Sequence, residues 1–61
     1  MIEIGDILIC PAMKLKVKDM RGTWVKCDYL NWDGEWKPRG CAENRKRLEE
    51  SIKNGTITIA E

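Results

Sequence analysis

The chain has 61 residues, and its eleven basic and ten acidic residues give a net charge of +1. A chain this short buries only about 60% of its unfolded surface, so we expect one domain (residues 1–61) of marginal stability, without an enclosed substrate pocket. The near-neutral total also sets it apart from dedicated nucleic-acid proteins, whose isoelectric points exceed about 9.

Residues 2–10 are rich in Ile and Leu and precede Pro11, a composition that predicts a first strand. Gly5 and Asp6 interrupt this stretch, so a turn or bulge is expected there and the regular strand is expected at residues 7–10.

Residues 14–18 alternate lysine with Leu15 and Val17, which is the period of a half-buried strand with the two apolar residues inside. The next four residues, 19–22, predict a turn, because Gly22 can take a positive φ.

Residues 23–30 predict a third strand whose alternation separates two faces. The face with Lys26 and Asp28 is expected outside, together with Trp24, near the lysines of the preceding strand. The inner face is expected to hold Val25, Cys27 and Tyr29.

Asp33 and Gly34 lie between two strand-like runs, which predicts a hairpin with a two-residue type I′ turn. In that register Trp32 faces Glu35 across the turn, and Trp32 and Trp36 point to opposite faces of the hairpin. At most one of these two tryptophans is then expected to pack inward. The returning strand is expected to end near residues 37–40.

Residues 42–54 consist of good helix formers with opposite charges four positions apart, and Gly55 is a natural helix stop. The apolar stripe of this predicted helix is narrow, mainly Leu48 and Ile52, so we expect it on the surface. Residues 56–60 alternate again and predict a last strand, with its isoleucines inward.

Three segments together resemble the SH3-like small-barrel superfold: Gly5-Asp6-Ile7-Leu8, Gly22-Thr23-Trp24-Val25-Lys26-Cys27, and Asp33-Gly34. The resemblance spans nearly the whole chain and implies a mainly β, five-stranded barrel of order β-β-β-β-α-β. It names a fold and transfers no functional residues. The long predicted helix and the tryptophans flanking a tight hairpin depart from that pattern, so a twisted antiparallel sheet packed by one helix is the alternative.

Catalytic and metal chemistry has no recognisable basis in the sequence. There is no His, and the three cysteines (Cys10, Cys27, Cys41) lie 17 and 14 positions apart, without the close spacing of zinc ligands. Ser51 has no candidate base, and no Gly-rich phosphate loop occurs. We therefore expect no enzyme, no metal and no cofactor.

The N-terminal residues include Glu3 and Asp6, which does not fit a secretory signal peptide, and no apolar run approaches the ~20 residues of a membrane span. We therefore expect a cytoplasmic protein with reduced thiols and no membrane partner.

The first functional hypothesis is a non-enzymatic protein that binds a protein partner through the tryptophan hairpin and the basic sheet face. The ordinary alternative is that the tryptophans form the core of a domain that lacks Phe. Size and composition suggest an accessory protein of a bacteriophage or mobile element that modulates a host factor. The expected contact residues are Trp32, Trp36, Trp24, Lys37 and Arg39.

The second hypothesis is nucleic-acid binding, because residues 11–47 carry ten basic and five acidic residues, a local charge of +5. Trp24 would stack on a base amid the lysines of the outer strand face. Those lysines also suit an ordinary solvated strand face. The expected basic residues are Lys14, Lys16, Lys18, Lys26 and Arg21. A third hypothesis is a self-associating structural subunit.

Overall fold

The computed structural model describes residues 2–60, which form an antiparallel sheet of six strands and one short helix. The predicted mainly β class with a single helix is confirmed. The elements are β1 Ile7–Ile9, β2 Lys14–Arg21, β3 Trp24–Leu30, β4 Trp36–Pro38, β5 Glu43–Asn44, α1 Arg45–Lys53 and β6 Thr58–Ile59.

The strands follow the order β4-β3-β2-β1-β6, and β5 pairs with the opposite end of β3 from β4. Within residues 2–60, no strand pair connects β6 to β4 or β5, so the sheet does not close into a barrel. An open antiparallel sheet with one helix, the alternative considered above, is therefore the arrangement observed. It has six strands where five were expected, and the SH3-like resemblance stays a prediction.

One face of the sheet carries the core, as the alternation of residues in β2 and β3 predicts. Tyr29 is partly buried against the core, and so are Cys10 and Ile52. The strand positions expected to face inward are confirmed for both strands. The buried residues are Ile2, Leu8, Leu15, Val17, Val25, Cys27, Leu48 and Ile57.

Strand β2 continues to Arg21, so the turn predicted at residues 19–22 is wrong. A bulge between Val17 and Asp19 adds one residue to β2, and beyond it Met20 pairs with Val25. The turn itself is Gly22-Thr23, with Gly22 at a φ of +60°. The bulge keeps the later part of β2 paired with β3, and a bulge cannot be read from alternation alone.

The helix begins at Arg45 and not at residue 42, because the two preceding residues form β5 against the edge of β3. The Asn44 side chain then caps the helix: its Oδ1 accepts the N–H of Arg47 at 3.2 Å. The N–H of Arg45 donates to the carbonyl of Thr23 at 2.7 Å. No helix between residues 2 and 60 is long and apolar enough to cross a membrane.

Candidate binding surfaces at the two ends of strand β3

The β3–β4 hairpin has a three-residue loop, so the predicted two-residue type I′ turn is wrong. The N–H of Asn31 donates to the carbonyl of Glu35 at 2.8 Å, and the N–H of Gly34 donates to the carbonyl of Asn31 at 3.0 Å. Gly34 takes a φ of +86°, whereas Asp33 keeps a negative φ, which a type I′ turn does not allow. The loop therefore consists of Trp32, Asp33 and Gly34.

The longer loop changes where the two tryptophans point. Trp32 lies at the tip and is 94% exposed. Trp36 pairs with Leu30 on the face of the sheet opposite the core, where it is half-buried. The ammonium Nζ of Lys16 lies 5.7 Å from the centroid of the Trp36 ring. Neither tryptophan is in the core, and the two-residue register that placed them on opposite faces of the hairpin does not form.

The outer face, meaning the sheet face opposite the core, presents apolar and basic side chains beside this hairpin. Ile9 pairs with Lys14, and Leu30 pairs with Trp36. Because Leu15 pairs with Tyr29, the preceding Lys14 is adjacent to Leu30. A single row of residues thus crosses four strands and ends beside Trp32. We call the following residues the hairpin surface: Trp32, Trp36, Leu30, Lys14 and Lys16.

Two of the residues expected at a protein interface lie elsewhere. Lys37 is in register with Tyr29, on the other side of the sheet from Trp36, and its Nζ lies 3.6 Å from a carboxylate oxygen of Glu35. Arg39 forms an ion pair with Glu43 at 3.0 Å, and both side chains are partly buried. The structure therefore groups Trp32 with Trp36 but leaves Lys37 and Arg39 outside the hairpin surface.

Trp24 stands at the other end of β3, six residues before Leu30, which is about 20 Å along a strand. Its indole is 54% exposed and separates two open clefts. The first cleft, about 510 Å³, lies between Trp24 and helix α1 and is lined by Arg47, Leu48 and Ser51. The second, about 420 Å³, is lined by Asp19, Arg21, Lys26 and Ala42. We call Trp24 with these clefts the Trp24 ridge.

The carboxylates of both clefts are already paired. Glu43 in the first cleft binds Arg39, and Asp19 in the second accepts from the Nε of Arg21 at 3.2 Å. Lys26 and Arg47 make no ion pair with any described residue. Each cleft therefore keeps one uncompensated positive charge.

Arg47 is the residue that sequence reasoning missed. It belongs to the basic run Arg45-Lys46-Arg47, within the segment whose opposite charges lie four positions apart. Within the helix, Arg45 and Glu49 form one such ion pair, at 3.5 Å. Arg47 and Ser51 are four positions apart, so they lie on one face of the helix. Only the fold brings that face next to Trp24.

The five basic residues expected to surround Trp24 do not form one patch. Lys18 pairs with Asp28 at 3.4 Å, and Lys16 covers Trp36 at the far end of the sheet. Among them, Lys26 and Arg21 line a cleft beside Trp24, while Lys14 belongs to the hairpin surface. Trp24 therefore lies at one end of this basic set and not in its middle.

All three cysteines are free. Burial raises the pKa of the Cys27 thiol to about 11, and the nearby Glu43 carboxylate adds to that rise. Burial likewise raises the pKa of Cys10, although the Arg39 guanidinium partly opposes it. Because the thiolate is the reactive form, these two groups act as apolar core atoms near neutral pH. Within residues 2–60, no cluster of three or more His, Cys, Asp or Glu side chains could hold a metal ion.

Comparison of the chain with protein-family models, with curated proteins and with solved structures gives no match.

Proposed function

We propose that the protein is a non-enzymatic interaction protein that binds a protein partner through the hairpin surface. One observation carries the proposal: Trp32 is 94% exposed at the tip of a hydrogen-bonded turn. Asp33 Oδ1 accepts the N–H of Glu35 at 2.9 Å, which adds to the two backbone hydrogen bonds that hold the loop. A large ring on a fixed turn loses little conformational freedom when a partner buries it, which favours tight contact.

The chemistry around Trp32 indicates the kind of partner. Lys14 makes no ion pair with any described residue, and Lys16 lies over Trp36. A complementary surface would offer an apolar pocket for Trp32 and carboxylates opposite the two lysines. If the chain is a phage or mobile-element accessory protein, this partner is a host factor that it modulates.

The test uses the tagged full chain as bait and compares three baits: the wild type, Trp32→Ala and Ile4→Ala. Ile4 is a matched control because it is an exposed apolar residue outside the hairpin surface. We expect the wild-type and Ile4→Ala baits to capture the same partner protein and the Trp32→Ala bait to fail to capture it.

The retained protein is then purified and titrated calorimetrically against each variant. Truncation of a hot-spot tryptophan removes about 2 kcal/mol or more, so Trp32→Ala should weaken binding by about 30-fold. Unchanged affinity in a Trp32→Ala protein with a native circular dichroism spectrum would refute the proposal.

Nucleic-acid binding is the second candidate function, and it is favoured by a different observation. Trp24 is half exposed beside Lys26, which is free of ion pairs with the described residues. Its signature is an affinity that falls steeply with salt, whereas the contact of Trp32 with an apolar pocket depends on salt only weakly.

A further inference from the structure

We propose that the Trp24 ridge binds single-stranded nucleic acid, with one base stacked on the Trp24 indole and the flanking phosphates held by Arg47 and Lys26. This inference rests on the second candidate function, which it narrows to one site. It does not depend on the hairpin surface, which lies at the other end of β3.

The backbone of Trp24 is held on both sides. Trp24 pairs with Arg21 of β2 across the Gly22-Thr23 turn and with Asn44 of β5 on its other side. The hydrogen bond from the Arg45 N–H to the Thr23 carbonyl, at 2.7 Å, ties the start of β3 to the start of the helix. The half-exposed ring therefore stands on a fixed base, as a stacking platform requires.

The two clefts place positive charge on both sides of this platform. Arg47 lines the cleft on the helix side, and Lys26 lines the cleft on the β2 side. A strand that crosses the ridge has one phosphate before the stacked base and one after it. Glu43 is paired with Arg39. Asp19 is the cross-strand neighbour of Lys26, but its two carboxylate oxygens already accept from the N–H of Met20 and the Nε of Arg21. Arg47 and Lys26 form no ion pair with a described residue and are available to these phosphates.

The geometry favours single strands over the other anionic polymers. In a duplex the faces of the bases are covered by stacking, so the Trp24 ring would have no base to contact. An acidic peptide would satisfy Arg47 and Lys26 but would leave the ring without a planar partner. Every base has a π-face, so we expect little sequence preference.

The experiment measures the fluorescence anisotropy of a labelled oligo(dT) of roughly 12 nucleotides, a length within the usual range of single-strand sites. It is titrated with the full chain at about 50 and 200 mM salt, where phosphate contacts weaken measurably. The ridge variants are Trp24→Ala, Arg47→Ala and Lys26→Ala. The matched controls are Lys53→Ala, which makes the same charge change at the far end of the helix, and Trp32→Ala, which removes an exposed ring from the hairpin surface.

We expect Trp24→Ala to weaken binding by about tenfold or more, because base–aromatic stacking contributes about 1–3 kcal/mol per base. Arg47→Ala and Lys26→Ala should each weaken binding at low salt and reduce the slope of log K against log salt by about one. Lys53→Ala and Trp32→Ala should stay within about twofold of the wild type at low salt, since neither contacts the ridge.

Trp24→Phe and Trp24→Leu separate the stacking role of Trp24 from a structural one. Both keep an apolar side chain opposite Arg21, but only Phe keeps a flat ring. Binding retained by Trp24→Phe and lost by Trp24→Leu, with equal thermal unfolding midpoints, supports stacking. Equal binding by both variants would overturn it.

Three further outcomes would also overturn the proposal. The first is no anisotropy change at about 50 mM salt, where phosphate contacts are strong. The second is equal loss in Arg47→Ala and Lys53→Ala, which would indicate diffuse attraction to net charge. The third is that polyglutamate displaces oligo(dT) and also binds the Trp24→Leu variant as tightly as the wild type. That result would mean that the partner of the ridge is an acidic protein surface. None of these outcomes bears on the hairpin surface, which the calorimetric titration of Trp32→Ala tests separately.

Discussion

Trp24 and Trp32 are both exposed, but different parts of the chain hold them in place. Trp24 sits between β2, its neighbour across the Gly22-Thr23 turn, and β5, which comes from a distant segment of the chain. Trp32 sits on a loop whose hydrogen bonds all join residues 31–35. The Trp24 ridge therefore depends on tertiary pairing, whereas the tip of the hairpin is a local structure. Two exposed tryptophans can thus belong to binding surfaces that respond differently to mutations elsewhere in the chain.

The core beneath both ends is shared. Val25 lies next to Trp24, Cys27 lies in the middle of β3, and both are buried. Sites more than about 7–10 Å apart without shared contacts usually behave additively, so the two ends should respond independently unless the core itself fails. The five tests below, ordered by expected effect, challenge this separation.

Val25→Ala should have the largest effect, because loss of the shared core should disrupt the Trp24 ridge and the hairpin surface together. Val25 is completely buried and pairs with Met20 of β2 and Glu43 of β5. We expect a loss of about 1–3 kcal/mol in the free energy of unfolding, a large share of the total for so small a domain. Urea denaturation followed by circular dichroism measures it. Val17→Ala should be similarly damaging, and a Lys16→Ala variant just as unstable would mean that the assigned faces are reversed.

Alkaline pH should have the second-largest effect, a loss of stability in the shared core. The pKa of Cys27 is raised to about 11 by burial, so the folded protein keeps its proton above pH 9 while the unfolded chain loses it. The stabilising contribution is complete below the unfolded pKa of about 8.5–9 and is lost as the pH rises towards 11, at up to about 1.4 kcal/mol per pH unit. Urea titrations between pH 8 and 11 measure this slope. Cys27→Ala should be less stable at neutral pH but should show a shallower alkaline slope, and an unchanged slope would contradict the assignment.

Gly34→Ala should damage the hairpin end alone. Gly34 has a φ of +86°, where an alanine is strained, so the loop should lose about 1 kcal/mol or change its shape. We expect weaker partner binding with unchanged oligo(dT) affinity. Gly40→Ala is the control, because a Cβ there meets nothing within 4 Å and its φ is not positive. Equal effects of the two substitutions on partner binding would show that the tip geometry is unimportant.

A double-mutant cycle with Trp24→Ala and Trp32→Ala tests directly whether the two ends of β3 are energetically independent. Trp24→Ala removes a cross-strand contact and should cost about 0.5–1 kcal/mol of stability. Trp32→Ala removes an exposed ring and should stay within about 0.5 kcal/mol of the wild type. The double variant should show the sum within about 0.5 kcal/mol. A larger coupling in urea denaturation would mean that the two ends communicate through β3.

Lys16→Ala should have the smallest effect on stability. Its Nζ lies over the Trp36 ring, a partly exposed cation–π contact of about 0.5–1 kcal/mol. We expect a near-neutral change in unfolding free energy and a shift in Trp36 fluorescence, measured in a Trp24→Phe, Trp32→Phe background that leaves Trp36 as the sole tryptophan. No fluorescence change would show that the contact is not maintained in solution.

Strand alternation predicted the core-facing residues well, because side chains on successive strand residues point to opposite faces regardless of the partner strand. Leu15, Val17, Val25 and Cys27 are all buried as expected. The hairpin between the third and fourth strands was also expected, although its loop is one residue longer. Turn length depends on whether Asp33 takes a positive φ, which the Asp-Gly pair permits but does not require.

The candidate site was harder to predict than the core. Lys18 occupies a bulge and pairs with Asp28. Arg47 lines a cleft with Trp24 only because residues 43 and 44 join the edge of β3. Local propensity favours helix for residues 42–54, but the free backbone groups of the β3 edge compete for the start of that segment. Such competition depends on an edge formed by distant residues, so no local pattern reveals it.

The sequence by itself determined a small antiparallel β domain with one helix, its inward-facing residues and the exposure of a tryptophan near the Asp-Gly turn. These features follow from the two-residue alternation of apolar and polar side chains in strands and from the residue preferences of turns, which both act over a few residues. Only the tertiary structure decided that the sheet stays open, that Trp24 and Trp32 belong to separate surfaces, and that Arg47 faces Trp24. Those features depend on which strand edges meet, and long-range backbone pairing settles that.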